Sequence, residues 1–384
     1  MGAETGLPRP PAEIALTQLR LTDFRNYAAA RLDLAPGLVV LTGPNGSGKT
    51  NLLEAVSLLS PGRGLRRARL ASLCRVGGAG CWAVAAEIAR NGETTRLGTG
   101  MRPGGPETSR EVRIAGVDAQ SSEALLEYCR ILWLTPSMDG LFTGAPGERR
   151  RFLDRLTLAI DPGHGGRVRA FDRLLTSRNR LLDEDAAPRW LSAVETELSA
   201  AALAVSLARQ ETVALLAGLF ASHGEGPFPV PGLALAGEFE AEIVAGRTAT
   251  QAEEAYRHRL QADRGRDRAA KRTLNGPHRS DLDVTFAAKA MPAALSSTGE
   301  QKALLLAVIL AEAELVARVA GMRPILLLDE VAAHLDADRR AALLVRLAEL
   351  GCQSLLTGTD AALFAAASGT AQFFSVSEGE VASI

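Results

Sequence analysis

The chain has 384 residues, 47% of them apolar, with 43 Lys and Arg against 44 Asp and Glu for a formal net charge of -1. That length and apolar content exclude a disordered chain and allow two or more packed regions. The balanced charge excludes a polycation, so any nucleic-acid binding has to come from a local basic patch. Four cysteines (Cys74, Cys81, Cys129, Cys352) are scattered without a C-x-x-C pair. That spacing argues against zinc and against a disulfide framework. No apolar run of membrane-spanning length is evident, and Met1 to Glu13 has no apolar signal core. A soluble cytoplasmic protein without a membrane partner is therefore expected.

In chain order, residues 1–12 read as a loose tail. Leu16 to Tyr27 alternates as a strand does, and Ala29 to Leu34 is its expected partner. After Pro36-Gly37 comes a short buried strand, Leu38-Val39-Val40-Leu41, and then Gly43-Pro44-Asn45-Gly46-Ser47-Gly48-Lys49-Thr50. This octet fits G-x-x-x-x-G-K-[ST], the phosphate-cradling P-loop. Glycines let the backbone aim successive N–H groups at phosphate oxygens. Lys49 is expected on the β- and γ-phosphates, and the Thr50 hydroxyl on Mg²⁺. Asn51 to Val56 reads as the following helix, which sets the phosphates at a helix N-terminus. A basic loop follows, with Arg63, Arg66, Arg67 and Arg69. Trp82 to Ala89 and Thr94 to Thr99 flank Asn91-Gly92, a hairpin signal, and Val112 to Gly116 adds a strand. Ile131 to Leu134 is a buried strand ending at Thr135-Pro136.

The chain then becomes helical. Gly147 to Ile160, Gly165 to Leu182 and Pro188 to Phe220 carry helical periodicity. Ser222 to Gly232 is a Gly/Pro-rich break, and Ala252 to Arg272 is helical and very basic. Leu295-Ser296-Ser297-Thr298-Gly299-Glu300-Gln301-Lys302 opens an apolar helix, where exposed N–H groups can bind a phosphate. Pro324 to Glu330 is an apolar run suited to a central parallel strand. It ends in Asp329, placed to hold Mg²⁺ opposite Thr50, and Glu330, placed to polarise the attacking water as general base. Ala341 to Leu350 is a helix, and Gln353 to Thr357 the next strand.

Together the P-loop, the Ser-x-Gly signature and the Leu-Leu-Leu-Asp-Glu strand, followed by His334-Leu335-Asp336, resemble the ABC-type ATPases of the SMC-related branch. Within that branch, four segments are similar to the RecF-like family. They are Leu21 to Tyr27 (with Phe24-Arg25-Asn26-Tyr27), Lys49 to Ala55, Pro146 to Asp154 and Gly276 to Asp281. The resemblance implies an α/β fold: an ABC-type ATPase head, with a mixed sheet carrying the P-loop and an antiparallel β layer, plus a helical second lobe. The expected division is 12–140 for the first half of the head, 141–272 for the lobe and 273–384 for the second half. The resemblance further implies an ATP-dependent homodimer. Ser297 and Gly299 would contact the partner copy's ATP, Asp336 would lie at the seam, and Arg25 near the nucleotide. It implies DNA binding at gaps and junctions of single and double strands, and work with RecO and RecR to load RecA.

Three departures matter. Thr298 and Glu300 stand where Gly and Gln are common, no Q-loop glutamine is evident after Leu134, and Thr357 stands near the position of a switch histidine. A hydroxyl cannot carry a proton as imidazole does, so slow hydrolysis is expected. The DNA surface is expected at two arginine clusters, Arg63, Arg66, Arg67 and Arg69, and Arg149, Arg150 and Arg151. A third cluster runs from Arg257 to Arg279. The alternatives are a transporter ATPase, which would need a Q-loop and a switch histidine, and an SMC chromosome head, which would need a long heptad arm.

Overall fold

In the computed structural model, which describes residues 13–104, 109–223 and 226–384, the tail expected at 1–12 lies outside the described residues. The elements, in chain order, begin with strands β1 (Ile14–Phe24), β2 (Tyr27–Asp33) and β3 (Leu38–Thr42) and helix α1 (Lys49–Ser57). Strands β4 (Trp82–Arg90), β5 (Glu93–Met101), β6 (Glu111–Ile114), β7 (Val117–Asp118) and β8 (Ile131–Leu134) follow. Next come helices α2 (Pro146–Ile160), α3 (His164–Asp183) and α4 (Pro188–His223), strand β9 (Pro231–Ala236), and helices α5 (Ala249–Ala262) and α6 (Arg264–Ala270). Then come β10 (Asp281–Phe286), β11 (Met291–Pro292) and α7 (Thr298–Ala320). The chain closes with β12 (Ile325–Leu328), α8 (Ala337–Leu350), β13 (Ser354–Gly358), β14 (Gln372–Ser377) and β15 (Glu380–Ser383).

The chain forms two units. One comprises the residues up to Asp139 together with Leu305–Ile384, the other Gly140–Leu304. The first unit holds two six-stranded sheets, ordered β2-β1-β4-β5-β6-β7 and β15-β14-β3-β13-β12-β8. The former is antiparallel throughout. In the latter, β14, β3, β13, β12 and β8 all run parallel. Both faces of the parallel strands are covered, so β3, β8, β12 and β13 are buried at every residue. One core joins Leu16, Leu19 and Leu21 of β1, Leu52, Leu53 and Val56 of α1, and Leu327 and Leu355.

Buried in this unit, the Gln353 side chain ties its two sheets. β1 pairs with β4 at Leu16, but its pairing with β2 begins only at Gln18, so Leu16 has no strand partner on that side. Gln353 satisfies it: its Oε1 accepts from Leu16 N–H at 2.7 Å, and its Nε2 donates to the carbonyls of Leu16 at 2.9 Å and Ala35 at 2.8 Å. A buried amide that meets both backbone polar groups of Leu16 avoids the desolvation cost of leaving them unpaired.

The second unit is helical but not all-helical. The helical lobe expected from the sequence also carries a three-stranded antiparallel sheet of β9, β10 and β11. β9 hides in the Gly/Pro-rich stretch, and its partner β10 lies dozens of residues further on. This pairing also keeps residues 273–304 with the second unit, so the division falls after Leu304 rather than after 272. The basic segment expected as one helix is two, because Asp263 leaves helical geometry (φ -84°, ψ 1°). α4 is, among the described residues, long and apolar enough to cross a membrane by length and composition, contrary to expectation. Within this unit, however, it buries Glu195 and Arg209 in ion pairs.

Arg178 organises the centre of the second unit. Its fully buried guanidinium donates to Glu195 (3.1 Å), Asp267 (2.7 Å), the Thr273 hydroxyl (2.7 Å) and the Leu260 carbonyl (2.7 Å). Removing one member of such a network strands the others in low dielectric. Arg178→Met should cost about 3 kcal/mol of stability, read as a lowered thermal midpoint. An unchanged midpoint would show that the network carries no stability.

Candidate nucleotide-binding site

β3 delivers the chain to the P-loop with all five of its residues buried, and α1 begins at Lys49 directly after it. Two glycines are fixed by their surroundings. Gly43 (φ 146°) passes so close to β14 that a Cβ would lie 2.1 Å from the Val376 carbonyl oxygen. Gly48 (φ 116°) would bring a Cβ to 2.6 Å from both the Asn26 amide nitrogen and the Tyr27 hydroxyl. Both φ values are also ones that side-chain-bearing residues rarely adopt. Asn26 donates to the Ser47 carbonyl at 3.1 Å and accepts from Asn51 Nδ2 at 2.7 Å, bracing the loop from outside. Lys49 is buried, and its ammonium donates to the carbonyls of Gly43 (2.7 Å) and Pro44 (2.8 Å). Burial lowers its pKa, while the nearby carboxylates of Glu330 and Asp329 pull it back up.

Parallel pairing of β3, β13 and β12 brings the distant acids to this loop. Thr50 Oγ1 donates to Asp329 Oδ1 at 3.0 Å, and Thr357 Oγ1 donates to the same oxygen at 2.8 Å. Thr357 Oγ1 in turn accepts from the Glu330 N–H at 2.8 Å. Glu330 itself sits in the left-handed region (φ 51°, ψ 26°) at the end of β12, a conformation that costs on the order of 1 kcal/mol for a non-glycine residue. Burial raises the Asp329 pKa even though the Thr357 and Thr50 hydroxyls oppose it, and Glu330 adds to the rise. Among the described residues, no group of three or more His, Cys, Asp or Glu could hold a metal by itself. The hydroxyl of Thr50 and the carboxylate of Asp329 are hard oxygen donors in contact, which fits Mg²⁺ shared with phosphates.

Arg25 lies against α1. Its Nε and Nη2 grip the fully buried Glu54 carboxylate, both at 2.8 Å, and Nη1 donates to the Ser72 carbonyl at 3.0 Å. Arg66 shares Glu54 at 3.0 Å and also reaches Asn51 Oδ1 at 2.6 Å. Arg63, Arg66, Arg67 and Arg69 are all exposed. The second arginine cluster is different. Arg149 pairs through Nε and Nη2 with Asp281 (2.8 and 2.6 Å), and its Nη1 donates to the carbonyls of Leu141, Phe142 and Gly144. Arg150 donates to the Ser280 carbonyl at 2.7 Å, and Arg151 pairs with Glu148. These three guanidiniums are engaged with protein acceptors inside the second unit.

Asp336 caps α8, accepting from the Arg339 N–H at 2.8 Å. Ser297 and Gly299 open α7, and a Cβ added at Gly299 would meet nothing within 4 Å. Asn26, Tyr27, Glu54 and β14 were not singled out as site parts from the sequence. Asn26 and Tyr27 stand beside Arg25 in a segment whose spacing alone assigns no contact, and β14 meets the loop through a backbone carbonyl that carries no sequence signal.

A mixed sheet with a P-loop, an antiparallel layer and an Asp-Glu strand end define an SMC-class ABC-type ATPase head. The RecF/RecN/SMC N-terminal domain matches residues 15–382. The chain is 53% identical over 373 residues to the DNA replication and repair protein RecF of Mesorhizobium japonicum, covering 97% of this chain and 98% of that protein. It is 51% identical over 388 residues to the corresponding Brucella suis protein, with 100% of both covered. The chain belongs to the RecF family. It is also similar in fold to the solved recombination mediator protein RecF with ATP, with a TM-score of 0.84 at 22% identity over 97% of this chain and 100% of that one. The Smc head domain from Pyrococcus furiosus gives a TM-score of 0.55 at 17% identity over 97% of this chain and 96% of that one.

Two outcomes test the site. Gly48→Ala should abolish nucleotide binding, measured with a fluorescent ATP analogue, while leaving the thermal midpoint of the second unit unchanged. The second concerns pH. A carboxyl whose folded pKa is raised favours the fold most below its unfolded value of 3.8, and this contribution is lost as pH rises through the raised value. Mg²⁺ needs the ionised form, so Mg²⁺-dependent nucleotide affinity should begin to fall on acidification at a pH above the ordinary carboxylate range. Asp329→Asn should remove that pH dependence along with the Mg²⁺ dependence.

Proposed function

We propose that this chain is an ATP-gated DNA clamp of recombinational repair and replication. It closes as a homodimer on duplex DNA beside single-strand gaps and works with RecO and RecR to load RecA. The cytoplasm is its place of action. Gly43 to Asn51 hold ATP, with Lys49 on the β- and γ-phosphates, and Glu330 acts as general base. Thr50 and Asp329 would hold Mg²⁺, which neutralises phosphate charge when bound. Arg25 acts from behind, fixing α1 through Glu54.

Gly299 carries the dimer reading. It has helical rather than positive φ, and open space where its Cβ would be, so nothing within the chain requires glycine there. A glycine inside a helix costs about 1 kcal/mol relative to alanine. Close approach of another molecule's phosphate to the α7 N-terminus gives it a reason, with Ser297 beside it and Asp336 at the seam. Slow turnover follows from Thr357. Its hydroxyl already donates to Asp329 and accepts from Glu330 N–H, so it holds these two residues in place and relays no proton. RecF relatives at 51–53% identity support the repair setting.

The DNA surface is the loop of Arg63, Arg66, Arg67 and Arg69. The Arg149–Arg151 cluster serves the second unit's own structure. Arg66 is also the first link in a chain of hydrogen bonds through Asn51 and Asn26 to the Ser47 carbonyl, at 2.6, 2.7 and 3.1 Å. Phosphate contact at Arg66 can therefore be felt at the P-loop.

Light scattering on Glu330→Gln should show a dimer with ATP and gapped DNA and a monomer without ATP; a monomer throughout overturns the clamp. Reversing Arg63 and Arg69 to Glu should weaken DNA binding and flatten its log–log salt slope by about 2, with ATP binding intact. Gly299→Ala should raise thermal stability by up to about 1 kcal/mol yet weaken the ATP-dependent dimer.

A further inference from the structure

The outer face of the antiparallel sheet carries a cavity of about 480 Å³, the size of a small-molecule site. Strand register builds its floor. Thr22, Ala83, Gly100 and Glu111 stand side by side across β1, β4, β5 and β6, and Arg20, Ala85, Gly98 and Arg113 form the next row. Val84, Leu97 and Val112 alternate with them and enter the core. The solvent face of such a sheet ordinarily carries longer polar side chains. Here Ala83, Ala85, Gly98 and Gly100 present a methyl group or nothing, which leaves a flat apolar floor about 10 Å across from β1 to β5.

The fold accounts for Gly100, because a Cβ there would lie 2.6 Å from the Trp82 carbonyl oxygen. It does not account for Gly98. Gly98 has no positive φ, and a Cβ added there would meet nothing closer than Arg113 Cβ at 3.8 Å. Glycine inside a strand weakens it, and otherwise marks a place where a ligand approaches the backbone closely.

Three guanidiniums and one carboxylate line the cavity: Arg96, Arg102, Arg113 and Glu111. Arg96 pairs with Glu87 (3.2 Å), Arg102 with Glu111 (2.7 Å) and Arg113 with Asp118 (2.7 Å), and each arginine stays more than half exposed. Exposed pairs of this kind are worth little, so a guanidinium can turn its remaining N–H groups to an incoming anion at small cost. An apolar floor beneath surplus positive charge selects a ligand with a flat apolar body and an anionic end. A nucleic-acid backbone is a poor match, since its charge runs along its whole length and the alanine and glycine side chains offer it no donor. None of these residues belongs to the nucleotide site.

We infer that this cavity is a binding site for an amphipathic organic anion. Its flat apolar body lies on Ala83, Ala85 and Gly98, and its anionic group meets Arg113, the cross-strand neighbour of Gly98.

Anilinonaphthalene sulfonate, a fused-ring anion that fluoresces on burial, is the probe, and neutral phenylnaphthylamine is its uncharged counterpart. The unmodified chain should bind the sulfonate about 10-fold more tightly than Gly98→Leu or Ala83→Leu, either of which fills the floor. Both substitutions place the new side chain in open or exposed space, so thermal midpoint and ATP affinity should hold. Arg113→Gln should weaken the sulfonate several-fold and leave phenylnaphthylamine unchanged. Sulfonate binding that is equal in the unmodified chain and both floor variants overturns the site. An equal loss of both probes in Arg113→Gln, or no loss of either, overturns the anion assignment.

Discussion

Asp329 Oδ1 is the point at which the two halves of the ATPase head become one site. It accepts hydrogen bonds from Thr50 and from Thr357, residues that lie 279 and 28 positions away in the chain. Nothing local sets this geometry. It depends on β3, β13 and β12 lying side by side and in parallel, with Leu355 opposite Val39 and Leu327. Parallel strands need crossover connections, and here the connection between β8 and β12 is long enough to contain an entire second unit. Strand register therefore sets catalytic distance: a slip of one residue along β12 would turn Asp329 away from the loop.

The same constraint explains why the loop's glycines are not interchangeable. Gly43 is required by β14, whose Val376 carbonyl crowds it, and Gly48 by the Asn26 and Tyr27 side chains of the opposite sheet. The P-loop is thus gripped between the two sheets of the first unit, with α1 behind it anchored by Glu54 to Arg25 and Arg66. Preorganisation of this kind fixes the loop's backbone in advance, so little ordering cost remains when phosphate binds.

The parts that were legible in the sequence are those with local signatures. The P-loop octet, the apolar run ending in Asp329-Glu330 and the Asn91-Gly92 hairpin each carry their chemistry within a few residues, and the structure forms β3, β12 and the β4–β5 pair there. β9 and β14 were not legible. β9 is short, only partly buried, and embedded in a stretch rich in glycine and proline. β14 pairs with β3 from more than 300 residues away. The arginine clusters divide for the same reason. Arg149 and Arg66 look alike in sequence, but Asp281 and three carbonyls enclose the first, while the second stays exposed beside its Glu54 partner. Charge alone does not say whether a guanidinium faces its own protein or a ligand; its acceptors do.

Glu54 and Glu300 show two opposite ways of holding a carboxylate. Glu54 is fully buried and shared by two arginines, so its negative charge is more than balanced and the neighbourhood of α1 stays positive. Glu300 sits at the mouth of α7 with a single lysine, partly exposed, where its charge opposes any second anion. A buried, doubly paired carboxylate is expensive to disturb, whereas an exposed, singly paired one is cheap to move. The first is therefore suited to holding α1 rigid behind the P-loop, while removal of the second would leave the rest of the fold standing.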